Sequence, residues 1–341
     1  MFSLAFGAGT QDRNGNWLEV CYPRPLLNPP AALVAAVEKT LAHPAGSNAT
    51  YALDPTQLRR LGEACNGSQP DQAALLAQLA GSKRPIVATL LATDSKPASV
   101  PEVYLKLQLL SHRLVKPHGL NLEGLFGLLP NVAWTSRGAI ALADLAAEQL
   151  DARLHGEVLD VFSVDKFPKM TDYVVPSGVR IADAARVRLG AYLGEGTTIM
   201  HEGFVNFNAG TEGPAMVEGR ISAGVFVHAH SDLGGGCSIL GTLSGGNSTV
   251  ISVGQKCLIG ANAGLGIPLG DQCTIEAGLY LTAGTKVTLL DGAGKVVKIC
   301  KARELSGGSN MLFRRNSQTG AVECLPNKGE IKLNTALHAH N

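Results

Sequence analysis

The chain has 341 residues and a nearly balanced charge, with 29 Lys and Arg against 28 Asp and Glu. This length exceeds what one hydrophobic core usually organises, so we expect two or three domains. The charge balance gives no reason to expect a nucleic acid or an anionic membrane as partner. The seven cysteines form no Cys-x-x-Cys pair, and every apolar run is far shorter than the roughly 18 residues of a membrane span. We therefore expect a cytoplasmic protein with reduced thiols.

The first part of the chain carries helix start signals. Asp54, Gln69 and Val100 each precede a proline and open an apolar pattern of helical period. The segment RPIVATLLATD, between the second and third signals, indicates a strand. A further helical pattern, GAIALADLAAEQLDARL, precedes two extended stretches. We expect a mixed α/β domain over residues 1–150, and its side chains suggest no chemical site.

From residue 178 onward an aliphatic residue recurs every six positions. The first run ends at Val205, and the following NFNAGTEGPA is interpreted as a ten-residue loop. The same step returns from Ile221 to Ile239 and again from Val253, and it continues to Val287 with a four-residue reset at Leu269. A small residue usually follows four positions after each aliphatic one. Three cysteines occupy this small-residue position and are expected to be interior fillers: Cys237, Cys257 and Cys273.

A six-residue period with one large aliphatic, one small residue and frequent Gly or Asn predicts a parallel β-helix of hexapeptide repeats. Three hexapeptides make one triangular coil, and residues 178–288 leave room for about six coils. The alternative is a Gly-rich antiparallel sandwich, which would not keep the phase over so many units. We assign the β-helix domain to residues 151–290 and a C-terminal extension to residues 291–341.

The stretch AMVEGRI places a carboxylate and a guanidinium on either side of Gly219. Counting back six from Ile221 makes Ala215 the inward residue, so we expect Glu218 at an outward corner directly after the ten-residue loop. A carboxylate there can act as a nucleophile or as a general base. A guanidinium such as Arg220 binds carboxylates bidentately. The alternative is an ordinary solvated ion pair.

The motifs MHEGFVNFNAGTEGPAMVEGRISAGV, GLYLTAGTKV and KARELSGGSNMLFRRNS together resemble the tetrahydrodipicolinate N-succinyltransferase family of hexapeptide-repeat acyltransferases. The resemblance covers residues 178–320. It implies a left-handed β-helix and a homotrimer with sites between subunits. It also implies succinyl transfer from succinyl-CoA to the amine of ring-opened tetrahydrodipicolinate. The products would be N-succinyl-2-amino-6-oxopimelate and CoA, in the diaminopimelate route to lysine.

The resemblance implies a role for single residues as well. Glu218 is the catalytic carboxylate, in one account forming an acyl-anhydride with the succinyl group, although the sequence leaves nucleophile and base open. Residues 286–315 hold seven basic side chains against two acidic ones, which suits the phosphates of CoA. No tightly bound cofactor is expected. The residues implied to bind the substrate or succinyl-CoA are Arg220, Gly235, Ser238, Ala261, Glu276, Ala277, Gly284, Lys301, Arg314, Arg315, Asn316 and Ser317.

The family's metal pattern is incomplete in this sequence. Family members carry an Asp just before the RVRLG run and a Glu in the MHEG motif. Glu202 fills the second position, but Ala185 fills the first. We expect Mg²⁺ binding at Glu202 to be optional for the activity.

Three other functions compete with succinyl transfer. A β-helical zinc enzyme resembling the carbonic anhydrases would use His201, His228 and His230, but it would leave Glu218 and the basic segment without roles. The same transfer with acetyl-CoA differs only in pocket contacts. A β-helical scaffold would show no thioester turnover. His338 and His340 are expected to belong to a frayed tail.

Overall fold

The computed structural model describes residues 1–241 and 249–327, so His338 and His340 lie outside the described residues. The chain divides into two compact units. Unit 1 comprises Met1–Leu109, Gly119–Pro168 and Asp172–Val174, and unit 2 comprises Leu110–His118, Lys169–Thr171 and the described residues from Val175 onward. The domain boundaries expected at residues 150 and 290 stay predictions. Within the described ranges, no helix is long and apolar enough to cross a membrane.

Unit 1 is built on an antiparallel sheet covered by helices. The strands follow the order β2-β1-β5-β4, with β3 paired to β1. Buried side chains of the first three helices share one hydrophobic core with Leu4 and Phe6 of β1. The elements are β1 Ser3–Gln11, β2 Trp17–Cys21, β3 Leu26–Leu27, α1 Ala31–Leu41, β4 Ala49–Ala52, α2 Pro55–Cys65, α3 Pro70–Leu79 and β5 Ile86–Leu91.

The helix start signals are confirmed. The Gln57 N–H donates to Asp54 Oδ1 (2.7 Å) and the Asp54 N–H donates to Gln57 Oε1 (2.9 Å), so the two residues form a capping box at the start of α2. The prediction of one continuous helix from Gly138 was wrong, because residues 138–141 form a strand that pairs with residues 132–135. The elements that follow are α4 Val100–Ser111, α5 Leu125–Leu128, β6 Val132–Thr135, β7 Gly138–Ala141, α6 Leu142–Leu154 and β8 Val161–Asp165.

Unit 2 is a parallel β-helix, as the hexapeptide period predicted. Each strand pairs in parallel with the strand one coil further along the chain, and this produces three sheets. Sheet 1 contains β9 Arg180–Ile181, β11 Thr197–Ile199, β14 Ala215–Val217, β17 Asp232–Leu233, β20 Leu258–Ile259 and β22 Thr274–Ile275. Sheet 2 contains β12 Phe204–Val205, β15 Arg220–Ile221, β18 Ser238–Ile239, β21 Gly264–Gly266 and β23 Tyr280–Thr282. Sheet 3 contains β10 Ala191–Leu193, β13 Ala209–Thr211, β16 Phe226–Val227 and β19 Ser252–Val253.

The repeat continues where the sequence indicated a break. The stretch interpreted as a ten-residue loop, residues 206–215, contains β13 and the first residue of β14. Thr211 ends β13 and Val217 ends β14, and both are inward residues of the repeat. A search for aliphatic residues misses Thr211, whose Oγ1 lies 2.7 Å from Thr197 Oγ1 in a buried hydrogen bond. Ala215 pairs with Thr197, in the small-residue position, so assigning it as the repeat's aliphatic residue was wrong. The interruption is instead the four-residue step from Val217 to Ile221.

The C-terminal extension continues sheet 1. Its strand β26 pairs in parallel with β22, and the remaining strands follow in the order β26-β27-β24-β25. These strands are β24 Lys286–Leu290, β25 Val296–Lys301, β26 Met311–Arg315 and β27 Val322–Pro326.

Two of the interior cysteines form a hydrogen-bonded ladder at the corner between sheets 3 and 1. The Ser231 hydroxyl accepts from the Cys257 N–H (2.9 Å) and donates to Gly254 O (2.6 Å). One coil further, the Cys257 thiol accepts from the Cys273 N–H (3.3 Å) and donates to Gly270 O (3.2 Å). The buried cysteines are therefore interior groups, and they also satisfy backbone donors and acceptors.

Residues Leu110–His118 are tied to sheet 3 by polar contacts. The Ser111 hydroxyl donates to Ala191 O (3.0 Å), and Lys116 Nζ lies 2.9 Å from Glu212 Oε1. Glu212 Oε2 also lies 3.0 Å from Nδ1 of His228. Lys116 first, and then His228, lower the pKa of the Glu212 carboxyl to about 2. The ionised carboxylate therefore joins this segment to the β-helix.

We expect Glu212→Gln to destabilise the protein at neutral pH. The pKa of Glu212 is lowered on folding from 4.5 to about 2, so its contribution is present above the unfolded value and is lost as the pH falls toward the folded value. The group is partly exposed, so the loss at pH 7 should be about 1 kcal/mol. Urea unfolding at several pH values measures it, with Glu195→Gln as the control. A loss that stays constant from pH 7 to pH 3 would contradict the electrostatic cause.

Candidate active site

Glu218 and Gly219 alone form the turn between β14 and β15. The Glu218 N–H donates to Leu233 O (2.9 Å), and Glu218 O accepts from the Gly236 N–H (3.1 Å). The half-buried Glu218 is therefore held at the edge between sheets 1 and 2. The other coils use four residues at this corner: Met200–Gly203, Gly234–Cys237, Gly260–Ala263 and Glu276–Leu279.

The short turn requires glycine at position 219 because the next coil lies against it. A Cβ atom there would stand 2.3 Å from Cys237 Sγ and 2.6 Å from Cys237 O. The Arg220 N–H donates to the same Cys237 O (2.8 Å). On the other side of the turn, a Cβ atom on Gly235 would lie 3.4 Å from Glu218 Oε2. The carboxylate is therefore directly beside Gly235.

Several residues implied by the family resemblance lie along this same edge. The Asn262 N–H donates to Gly235 O (2.8 Å), and one coil further the Gly278 N–H donates to Ala261 O (2.8 Å). Glu276 Oε2 accepts from the Arg315 N–H (2.6 Å), which attaches the end of β26 to the edge. The residues brought together at this edge are Glu218, Gly235, Ala261, Glu276, Ala277 and Arg315.

The face of sheet 2 carries the next group. Arg220 is exposed and aligned with Ser238, which is followed along the sheet by Gly264 and Tyr280. A Cβ atom on Gly264 would lie 2.3 Å from the Tyr280 ring, so the ring covers this glycine while remaining 51% exposed. Sequence reasoning missed Tyr280 as a candidate lining residue. Its position directly before the inward Leu281 was the available signal, because strand neighbours point to opposite faces.

A buried carboxylate, Glu323, orders one basic and one amide side chain near the edge. Glu323 accepts from Arg314 Nε (3.0 Å) through Oε2 and from Asn316 Nδ2 (2.8 Å) through Oε1. Asn316 first, and then Arg314, lower the pKa of Glu323. Asn316 Oδ1 also accepts from the N–H groups of Gln318 and Thr319, so it shapes the turn that contains the exposed Ser317.

Gly284 and Lys301 lie away from Glu218, at the other edge of sheet 2. Two hydrogen bonds reach the residues on either side of Gly284. The Ala302 N–H donates to Thr285 O (2.8 Å), and the Arg303 N–H donates to Ala283 O (3.2 Å). The segment just after Lys301 is thereby joined to this turn. The expected binding residues therefore lie at both edges of sheet 2 and, for Arg220 and Ser238, on its face. Arg314, Asn316 and Ser317 lie on β26 and the turn after it, next to Arg315.

Glu202 stands at the corner of the coil that precedes Glu218. Its Oε1 lies 3.2 Å from His201 Nδ1, and its Oε2 lies 4.0 Å from a guanidinium nitrogen of Arg186. Among the residues that the structure describes, no group of three or more His, Cys, Asp or Glu side chains could hold a metal ion. A single chain thus offers one carboxylate beside a cation, too few ligands to hold Mg²⁺ by itself, and Mg²⁺ binding at Glu202 stays a prediction.

Comparison with known proteins identifies the family. A model described as the middle part of tetrahydrodipicolinate N-succinyltransferase matches residues 129–169, and one for the hexapeptide repeat of succinyl-transferase matches residues 250–283. A 2,3,4,5-tetrahydropyridine-2,6-dicarboxylate N-succinyltransferase from Pseudomonas paraeruginosa is 67% identical over 341 residues, covering 100% of this chain and 99% of the relative. The chain belongs to this N-succinyltransferase family.

Other relatives agree with this assignment. The enzyme of the same name from Vibrio cholerae is 57% identical, again over 100% of this chain and 99% of its own. A Campylobacter jejuni structure described as a 2,3,4,5-tetrahydropyridine-2-carboxylate N-succinyltransferase superposes with a TM-score of 0.89 at 33% identity, covering 97% of this chain and 93% of that one. The expectation of an N-succinyltransferase enzyme is confirmed, and the zinc and scaffold alternatives give way to it.

We expect Glu323→Gln to weaken succinyl-CoA binding without changing the chemical step. The neutral amide loses the charge that holds Arg314, so KM for succinyl-CoA should rise about fivefold, equivalent to roughly 1 kcal/mol for one hydrogen bond, with kcat unchanged. Steady-state kinetics measure this, with Asp291→Asn in the β24–β25 turn as a matched control. A fall in kcat at constant KM would show that Glu323 does not act through binding.

Proposed function

We propose that this chain transfers the succinyl group of succinyl-CoA to the amine of ring-opened tetrahydrodipicolinate. The products are N-succinyl-2-amino-6-oxopimelate and CoA, in the diaminopimelate route to lysine. The observation that carries the proposal is the 67% identity, over the whole chain, to a 2,3,4,5-tetrahydropyridine-2,6-dicarboxylate N-succinyltransferase. The exposed edge that presents Glu218 gives this activity a site.

Glu218 is the catalytic residue in this proposal, and two mechanisms use it. As a nucleophile, its oxygen attacks the thioester carbon and CoA thiolate leaves; the amine then attacks the acyl-anhydride, the carboxylate leaves unchanged, and the amine proton passes to the thiolate or solvent. As a general base, it removes the amine proton while the nitrogen attacks the thioester carbon directly; CoA thiolate leaves and takes up that proton. Both mechanisms need a carboxylate accessible to the acyl group, and Gly235 leaves that approach open.

The groups around Glu218 suit the other parts of the substrates. Arg220, exposed on sheet 2 beside Ser238, can bind a succinyl carboxylate bidentately. Small residues along the edge, Gly235, Ala261 and Ala277, leave room for the extended arm of CoA, and Glu276 fixes the end of β26 beside them. The residues proposed to bind the CoA phosphates are the exposed Lys301, Arg314, Arg315 and Ser317 and the half-buried Asn316, with Gly284 at the turn beside Lys301.

The proposal includes a homotrimer of left-handed β-helices in the cytoplasm, with the sites between subunits and no tightly bound cofactor. The placement of the expected residues at two edges of sheet 2 supports it, because a neighbouring subunit against this sheet could complete a cleft at each edge. Closed head-to-tail association of this kind produces cyclic oligomers. Mg²⁺ at Glu202 is an optional addition to this assembly.

The proposal is tested by CoA thiol release from succinyl-CoA in the presence of tetrahydrodipicolinate or 2-aminopimelate. We expect amine-dependent turnover that falls on the order of 10³-fold in kcat in Glu218→Ala and Glu218→Gln, as the loss of a nucleophile or base does. Glu195→Gln serves as the control for the loss of a carboxylate. Absence of amine-dependent release from succinyl-CoA in the wild type would overturn the proposed activity.

Acyl preference is read from the same assay with acetyl-CoA. We expect a lower kcat/KM for acetyl-CoA than for succinyl-CoA, because the acetyl group has no carboxylate to bind the Arg220 guanidinium. In Arg220→Ala the preference for succinyl-CoA should shrink, largely through a higher KM for that thioester. Equal use of both thioesters by the wild type would retain the enzyme class and overturn the succinyl assignment.

A further inference from the structure

We propose that Cys237 is a positioning residue for Glu218, and that the size of its buried side chain determines where the carboxylate stands. The inference rests on the proposed role of Glu218 and adds a residue that does not touch the substrate. Cys237 was expected from the sequence to be only an interior filler.

The contacts of Cys237 surround the turn that carries Glu218. Its Sγ lies so close to Gly219 that a Cβ atom there would stand at 2.3 Å, and its carbonyl oxygen accepts the Arg220 N–H at 2.8 Å. The preceding Gly236 donates its N–H to Glu218 O at 3.1 Å. The backbone on both sides of Gly219 is thus bound to residues 236–237, and the thiol of Cys237 lies against Gly219 itself.

The thiol of Cys237 supports the Glu218–Gly219 corner, which is two residues shorter than the equivalent corners of the other coils. The last residue of the corner is stacked from coil to coil, as the hydrogen bonds into sheet 2 show: Gly203, Gly219, Cys237, Ala263 and Leu279. At Gly219 the corner has lost two residues relative to its neighbours, so its backbone rests on the side chain beneath it. A smaller group at 237 leaves a gap under the turn, and a larger group pushes the turn outward.

The same surroundings make Cys237 unsuitable as an acyl acceptor. It is 1% exposed, so a thioester cannot reach it. Burial first, and then the nearby charge of Glu218, raise the pKa of its thiol to about 12, and the thiolate needed as a nucleophile does not form at neutral pH. Cys237 therefore acts as a neutral packing group.

The test compares Cys237→Ala and Cys237→Ser with Cys257→Ala, which removes another buried thiol at the corner between sheets 3 and 1. We expect Cys237→Ala to lower kcat about tenfold or more, since small misplacements of a catalytic group have large effects, while KM for succinyl-CoA stays within about twofold. Cys237→Ser should recover most of the activity because it is nearly isosteric. Cys257→Ala should keep kcat within about twofold of the wild type, even if its melting temperature falls as much as that of Cys237→Ala.

A double-variant cycle separates positioning from a general structural role. Glu218→Ala combined with Cys237→Ala should be no less active than Glu218→Ala alone, because a residue that acts through Glu218 has no effect in its absence. The inference would be overturned if the double variant lost activity by the product of the two single losses. Equal kcat values for Cys237→Ala and Cys257→Ala would overturn it as well. Succinyl found on Cys237 by mass spectrometry after incubation with succinyl-CoA would also overturn it. Full activity of Glu218→Ala would instead refute the proposed role of Glu218.

Discussion

The stacking of one coil on the next is the constraint on which the site depends. Parallel pairing places each residue of a corner directly against its equivalent one coil along, so a corner cannot change shape without affecting its neighbours. The two-residue turn at Glu218 illustrates this, because it is possible only where Gly219 meets Cys237 without a Cβ atom. The position of the proposed catalytic carboxylate is therefore determined by backbone geometry more than by charge.

Electrostatics act on top of this geometry, and mainly by ordering segments that cross the coils. Glu212 joins Lys116 and His228, and Glu323 joins Arg314 and Asn316. Each carboxylate accepts hydrogen bonds from two side chains, and in both cases the pKa of the carboxyl is lowered. One of them attaches a chain segment to sheet 3, and the other holds Arg314 and the turn that begins at Asn316. Charged pairs thus fix the parts of unit 2 that the hexapeptide pattern leaves undetermined.

Much of the fold was predictable from local rules, and the errors have physical causes. Helix α2 could be predicted because Asp54 and Pro55 start it by their own chemistry. The strands β1 and β2 were missed because Gly7 and Gly9, which allow β2 to approach closely, disguise the alternating pattern. The repeat was interrupted at the wrong place, between Val205 and Ile221, because the inward Thr211 is polar. The candidate site residues come from family motifs, and their arrangement around sheet 2 depends on pairing between coils, which the motifs do not give.

The corners of this β-helix also differ in length without changing the alignment of the strands. The step from Ile239 to Val253 spans fourteen residues instead of six, and yet Val253 pairs with Val227 in register. The step from Val217 to Ile221 spans four, and Ile221 still pairs with Ile239. Strand register is therefore determined by the stacked interior residues and not by the length of the connecting chain. For a protein engineer, the length of a corner can therefore be changed to reshape access to the edge without shifting the strand register, provided that the residues stacked on the neighbouring corners are kept.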